Sequence, residues 1–267
     1  MSLIKAHQWE DIEFFELGYS WYGKPMITVY SYYLKGILID TGPSNLQKSV
    51  VKLFENRPLD KILLTHYHED HSGNAETLRQ TYQTTLLAGE MTCEKVQNQI
   101  ALKPYQIYSF GRVPKVKNTQ TIPQLIENEH FTLTPLFTPG HSADHYGYLE
   151  KDRGWFFSGD LYLGLIKMMR PEENIGQMIR SIKMVLTYDF EVLFCAHNPK
   201  FKKGKSHLQK KLQHLEDFYG KVKELHHKGL KIKEIIKVLG LKENYRGKIW
   251  TFNDIGLDFM IKSVIEN

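Results

Sequence analysis

The chain has 267 residues, 42% apolar and 24% charged, which is room for one large domain, or one domain with a small appendage, around a sizeable core. It holds no run near the roughly 18 apolar residues of a membrane span, its N-terminus has no apolar h-region or small-residue cleavage site, and its two cysteines, Cys93 and Cys195, cannot make a disulfide framework; a cytoplasmic, reducing compartment with no membrane partner is the expectation. The net charge of +5 is lopsided, with 19 Lys/Arg against 22 Asp/Glu in residues 1–199 and 16 against 8 in residues 200–267, so the chain is expected to divide into a domain over 1–204 and a basic helical region over 205–267 with an anion-facing surface.

Residues 12–40 read as hairpins: Met26-Ile27-Thr28-Val29-Tyr30-Ser31-Tyr32-Tyr33-Leu34 is β-branched and aromatic, Lys35-Gly36 supplies a turn, and Ile37-Leu38-Ile39 is a buried strand ending in Asp40. Residues 45–56 have helical spacing through Leu46, Val50, Leu53 and Phe54 and stop before Pro58. Strands are expected over 61–65 and 84–88, and helices over 74–82 and 90–102. Residues 103–125 carry Pro, Gly and Lys and read as irregular. Further strands follow over 131–137, 146–149 and 154–158, then a helix over 171–186 and a last buried strand, Val192-Leu193-Phe194-Cys195. Leu208, Leu212, Leu215, Tyr219, Val222 and Leu225 mark an amphipathic helix, and 231–239 a second, short one. Lys210, Lys211, Lys221, Lys223 and Lys228 on this pair read as a solvated face. Strands and helices alternate while the early strands cluster as hairpins. That predicts an α/β chain with a layered sheet core covered by helices, not a doubly wound sheet.

Chemistry concentrates in His66-Tyr67-His68-Glu69-Asp70-His71, which follows the apolar Ile62-Leu63-Leu64-Thr65 and leads into Ser72-Gly73-Asn74. A buried strand empties three imidazoles and a carboxylate into a turn, and these are the ligands of zinc and related transition metals. Three later sites share this grammar. His141 follows the strand over 133–137, Asp160 ends Trp155-Phe156-Phe157-Ser158-Gly159, and His197 follows Val192-Leu193-Phe194-Cys195-Ala196. Strand ends on one rim of a sheet bring such side chains to one cleft, and rigid strands fix ligand geometry better than loop tips do.

Together these residues resemble the metallo-β-lactamase superfamily over about residues 20–200, with every ligand position present in the family's order. The resemblance implies an αββα four-layer sandwich of two mixed sheets flanked by helices, with the site at the edge between the sheets. It implies one metal on His66, His68 and His141, a second on Asp70, His71 and His197, and Asp160 bridging them; Asp40 matches the family's upstream Asp. The chemistry agrees with that division. A bridging carboxylate holds two cations roughly 3.5–4 Å apart, and a shared water is acidified toward hydroxide near neutral pH. Such a hydroxide attacks a carbonyl or phosphoryl centre while the cations stabilise the oxyanion. Asp70 is the expected catalytic residue, holding and orienting the nucleophile. Asp40 is expected to fix a ligand His or loop backbone. Two divalent ions per chain are expected, zinc first, with iron or manganese also suited to His/Asp ligands.

Asp160, where zinc β-lactamases often place a Cys, makes the chain similar to the glyoxalase II, lactonase and RNA-processing branches. Cys195 and Cys93 read as core. His145 reads as a partner of a ligand or as structural. Tyr162 reads as an oxyanion donor or as packing, and Met168 and Met169 as core or as a pocket wall. Tyr245-Arg246-Gly247-Lys248 and Lys200, Lys202 and Lys203 are candidates to bind an anionic part of the substrate. The expected function is hydrolysis of a small ester, thioester or lactone by a metal-bridging hydroxide. The alternatives are a nuclease or phosphodiesterase whose basic C-terminal region binds phosphates, and a mononuclear iron, persulfide-dioxygenase-like use of the same motif.

Overall fold

The structure, a computed structural model, describes residues 2–25 and 27–266; Met26, expected at the head of a strand, lies outside them. The chain opens as an antiparallel meander of β1 (Ser2–Trp9), β2 (Ile12–Tyr19), β3 (Val29–Leu34) and β4 (Ile37–Ile39). Lys35 and Gly36 join the last two with φ of 42° and 106°, the two-residue turn whose twist suits paired strands. From β4 the chain crosses over through helices. α1 (Gln47–Leu53) leads to β5 (Lys61–Leu63), α2 (Glu69–Ser72) and α3 (Ala75–Tyr82) lead to β6 (Thr85–Ala88), and α4 (Glu90–Gln97) and α5 (Pro104–Phe110) lead to β7 (Thr119–Thr121). Strands β4 to β7 pair in parallel, so the meander and the crossovers form one mixed seven-stranded sheet in chain order.

The second sheet is built from β8 (Ile126–Glu127), β9 (Thr132–Phe137), β10 (Tyr146–Glu150), β11 (Trp155–Gly159) and, after α6 (Ile175–Val185), β12 (Val192–Cys195). Its order is β12-β11-β10-β9-β8, antiparallel except for the β11–β12 pair. The chain ends in α7 (Gly204–His227), α8 (Ile232–Val238), α9 (Tyr245–Trp250) and α10 (Leu257–Ile265). No helix among the described residues is long and apolar enough to cross a membrane.

Period-two alternation sorts the strand side chains into layers. Phe14, Ile37, Ile39 and Leu63 face the second sheet and meet Leu133, Trp155, Phe157 and Phe194 there. Their neighbours Phe15, Leu38, Ile62 and Leu64 face the other way, onto Val50 and Phe54 from the α1 region, Leu78 of α3 and Val96 of α4. On the far side, Leu149, Phe156 and Leu193 pack under Met178 and Ile182 of α6, Leu208 and Leu215 of α7, and Met260 and Ile261 of α10. Both faces of each central strand are therefore apolar, as the run Val192-Leu193-Phe194-Cys195 announced. The result is helix, sheet, sheet, helix: the expected four-layer sandwich with a C-terminal helical region. Phe194 stacks on Phe157 with centroids 4.7 Å apart at the centre of the inter-sheet layer, where truncation to Ala costs about 3–5 kcal/mol.

Several expectations need correction. Residues 103–125 are not irregular throughout. They hold α5, with Pro104 in its first turn, and the edge strand β7. The helix expected over 171–186 begins at Ile175, because the Asn174 side chain caps it by accepting from the Gln177 amide. The helix expected over 90–102 ends at Gln97. Lys211, expected on a solvated face, is fully buried, and its Nζ donates to the Leu161 carbonyl at 2.7 Å.

Candidate metal centre

The loops that carry the candidate ligands leave the ends of strands in both sheets, not one: His66–His71 after β5 in the first, and His141, Asp160 and His197 after β9, β11 and β12 in the second. Two tyrosines help hold these ends together. Tyr32 of β3 donates to the Cys195 carbonyl at 2.6 Å, and Tyr148 of β10 donates to the Leu64 carbonyl at 2.7 Å.

Asp40 organises the His loop. It sits just past β4 with φ of 59°, a left-handed conformation that only a few residue types tolerate without strain. From there Oδ1 accepts from the Thr65 amide (2.9 Å), and Oδ2 accepts from Thr65 Oγ1 (2.8 Å) and from His71 Nδ1 (2.7 Å). Asp40 thus holds both His71, a candidate ligand, and the loop backbone. The Asn74 side chain reaches the carbonyls of Thr41, Gly42 and Pro43 at 2.8–3.0 Å, stitching the Asp40 loop to the end of the motif. Gly73 is required by close approach: a Cβ there would stand 2.6–2.7 Å from backbone atoms of Ser44, Glu69 and Gly42.

Hydrogen bonds at the outer ring nitrogens set which nitrogen of each His faces inward. Thr65 Oγ1 gives its proton to Asp40, so it accepts from His66 Nδ1 at 3.0 Å. His71 Nδ1 donates to Asp40, His197 Nδ1 to the Thr28 carbonyl at 2.6 Å, and His141 Nδ1 faces Glu173 Oε2 at 3.3 Å. Each of these four rings turns its Nε2 into the cleft, and His68 turns Nδ1. His68 Nδ1 lies 2.8 Å from His66 Nε2 and 3.1 Å from His141 Nε2, three lone pairs converging with no donor between them. A second group gathers beside it, with His197 Nε2 3.4 Å from Asp70 Oδ2 and His71 Nε2 3.8 Å from Asp70 Oδ1. Asp160 lies between the groups. Its Oδ2 is 3.3 Å from His141 Nε2, and its Oδ1 is 3.5 Å from both His71 Nε2 and His197 Nε2.

The imidazole–carboxylate separations of 3.3–3.8 Å are long for hydrogen bonds, and His71 Nε2 and Asp160 Oδ1 are buried without a hydrogen-bond partner. Orphaned buried acceptors and imidazole nitrogens around common points fit a cation better than they fit one another. Within each of His66/His68/His141 and Asp70/His71/His197, the donor atoms lie within 4.8 Å of one another, close enough for one ion to reach all three. Burial, reinforced by the neighbouring imidazoles and Arg170, pushes His66 and His68 well below the usual histidine pKa, toward the neutral form a metal requires. In the second group burial is outweighed. The carboxylates of Asp40, Asp160 and Asp70 hold His71 well above its usual pKa, and Asp160 and Asp70 do so for His197. That carboxylate field attracts positive charge, whether as protons or as a metal.

His145 stands behind Asp160. Its Nδ1 donates to Thr138 Oγ1 at 2.8 Å, and its Nε2 accepts from the Asp160 amide at 3.0 Å, so it holds Asp160 by its backbone. Gly159, with φ of 46°, leaves room for that ring; a Cβ would lie 2.7 Å from His145 Nε2. Cys195 is core, its Sγ donating to the Tyr162 carbonyl and receiving the amides of His197 and Asn198 at 3.4 and 3.3 Å. Tyr162 packs in the outer core, as does Met169, and Lys200 binds the Asn198 side chain at 2.6 Å. Of Tyr245-Arg246-Gly247-Lys248, Arg246 and Gly247 line a cavity next to the metal groups.

Part of the site carried no sequence signal. The cavity over the metal groups, about 300 Å³, is walled by Arg170, Tyr105, Phe110 and the C-terminal residues Trp250, Thr251 and Ile255. Arg170 Nη2 lies 3.4 Å from Glu69 Oε1, which also accepts from Gln106 at 2.8 Å. Burial opposes charge on Arg170, but Glu69 and its neighbours keep it above its usual pKa. Asp254 ties the C-terminal wall to α5 by accepting from Tyr105 Oη at 2.6 Å and from Lys103.

Comparison with known proteins agrees with this geometry. The family model of the metallo-beta-lactamase superfamily matches residues 27–197. A beta-lactamase-like protein 2 homolog of Drosophila melanogaster is 27% identical over 60% of this chain and 54% of its own length. A hydroxyacylglutathione hydrolase of Bartonella henselae is 28% identical over 60% of this chain and 56% of its own, so the chain spans about half the length of these relatives. A metallo-beta-lactamase from Pontibacter korlensis superposes with a TM-score of 0.62 at 18% identity, covering 80% of this chain and 99% of that one. With the match running from before β3 to His197 and holding every residue of the two donor groups, the chain belongs to the metallo-beta-lactamase superfamily.

Proposed function

We propose that the protein is a dinuclear metal-dependent hydrolase of small esters, thioesters or lactones. The observation that carries this reading is the Asp160 carboxylate, with one oxygen toward His141 and the other toward His71 and His197. A carboxylate with both oxygens engaged on opposite sides suits two cations better than one. His66, His68 and His141 would hold one cation, Asp70, His71 and His197 the other, with zinc the expected metal. When bound, the pair supplies Lewis acidity, which generates a nucleophile from water near neutral pH and offsets charge on the attacked oxygen.

The chain's own residues do the rest. Asp70 accepts a hydrogen bond from the nucleophilic water and aims it, the role assigned to it as catalytic residue. Asp40, His145 and Thr65 keep ligands in place while charge develops. Trp250, Ile255 and Phe110 exclude bulk water and leave space for an acyl group rather than a duplex. The hydroxyacylglutathione hydrolase name of two relatives supports a thioester among the substrates. On this reading residues 1–204 supply the chemistry, and 205–267 shape the substrate's approach.

The test is turnover by zinc-reconstituted protein on a panel of thioesters, lactones, phosphodiesters and β-lactams. Thioester or lactone hydrolysis that is lost on chelation and restored by zinc supports the proposal. Phosphodiester turnover that exceeds both would replace it with the nuclease reading.

A further inference from the structure

A second cavity of about 530 Å³ adjoins the metal cavity and shares Ile27, Ser109, Phe110 and Trp250 with its walls. Its lining is unlike that of the metal groups. Tyr19, Tyr22, Tyr108 and Trp250 present aromatic rings, Lys24 and Arg246 present cations, and no carboxylate lines it. Two of these rings are linked, Tyr108 meeting Trp250 edge-on with centroids 5.6 Å apart, and Trp21, outside the chamber's wall, stacks on Tyr108 at 6.3 Å. Tyr22 is 94% exposed and Trp21 71%, apolar area that a chain leaves open at a cost unless something covers it. Lys24 and Arg246 make no ion pair among the described residues, whereas Arg170 in the neighbouring cavity is held by Glu69.

We propose that this chamber binds the far end of the substrate, an apolar or flat group that carries a carboxylate or phosphate, with the rings covering its body and Lys24 and Arg246 pairing with its charge. The proposal rests on the hydrolase reading and narrows it: the preferred substrates are esters or thioesters with one long, apolar, anionic arm. A zwitterionic arm such as that of glutathione fits poorly, because its ammonium meets no carboxylate in the chamber wall.

The test measures binding of 4-phenylbutyrate, 4-phenylbutyl phosphate and neutral 4-phenylbutanol to the full chain by calorimetry. Lys24→Gln/Arg246→Gln is expected to weaken both anions about tenfold and the alcohol less than about twofold. The charge-keeping Lys24→Arg/Arg246→Lys is expected to restore the anions, and added salt to reduce their advantage. Whichever anion loses more affinity in the Gln variant names the native charge. The chamber assignment is overturned if acid, phosphate and alcohol weaken alike, or if none weakens. Turnover separates the two claims. Anion binding as predicted with no ester, thioester or lactone hydrolysed upholds the chamber and removes the hydrolase reading. Hydrolysis with no effect of the Gln variant on the probes does the reverse.

Discussion

The metal-binding rim and the C-terminal roof face each other across one cavity and are built on opposite terms. On the rim, His66 and His71 are wholly buried, and both are tied at the outer nitrogen through Asp40 and Thr65. The roof over residues 244–257 leaves Tyr245, Ile249, Trp250 and Phe252 exposed. It is held by Asp254 on Tyr105 and Lys103, by Trp250 on Tyr108, and by paired backbone bonds between Met169 and Gly256 at 3.1 and 3.0 Å. A site for chemistry needs ligands fixed by rigid strand ends. A site for selection works with fewer, more exposed contacts that adapt to what enters. On the proposed reading, reactivity belongs to the rim and choice of substrate to the roof.

The largest expected effect tests the rim. Asp70→Asn should lower hydrolysis by about 10²–10⁴-fold with the circular dichroism spectrum unchanged; near-normal turnover would remove Asp70 from its role. Asp40→Ala should come next, since it strips His71 and Thr65 of their shared acceptor. Metal affinity should fall about 10–100-fold in a chelator competition, and unaltered affinity would reduce Asp40 to a turn residue. Lys211 tests where the C-terminal region reaches under the rim, because it holds the carbonyl next to Asp160. Burial lowers its pKa from 10.5 to about 8, so the folded chain releases that proton before the unfolded chain does. Folding stability should therefore rise, relative to Lys211→Met, as pH goes from about 8 to about 10.5, by on the order of 3 kcal/mol. Parallel urea-unfolding curves for the two proteins across that window would refute the buried cation. The smallest effect belongs to the roof: Asp254→Ala should raise KM less than about tenfold, the scale of one lost charged contact, and leave kcat and metal content in place. A fall in metal content instead would merge roof and rim.

Much of the rim was legible in the sequence because four of its seven donors fall within six residues, after one apolar strand. His141, Asp160 and His197 were found because each repeats that strand-then-ligand pattern. A layered sheet core under helices was legible because strands and helices alternate while the early strands cluster as hairpins; the four-layer sandwich itself was implied by the family resemblance. The roof was not, because Trp250 and Ile255 carry no motif, and α9 is only six residues long, too short for a helical period to stand out. Glu69 and Arg170 pair across 101 positions, a contact no local pattern encodes. Lys211 was misread although its spacing held the signal. The buried stripe of α7 is Leu208, Lys211, Leu215, Phe218 and Val222, and the Lys occupies an apolar step of it. Residues 103–125 hid α5 and β7 because both are short and lie among turn-forming residues.

The central claim is that Asp160 joins two metal sites in one chain. The most direct measurement is elemental analysis of protein saturated with zinc and then freed of unbound metal. The account predicts two zinc ions per chain, in line with the two donor groups that flank Asp160. One ion per chain, or none, would contradict it.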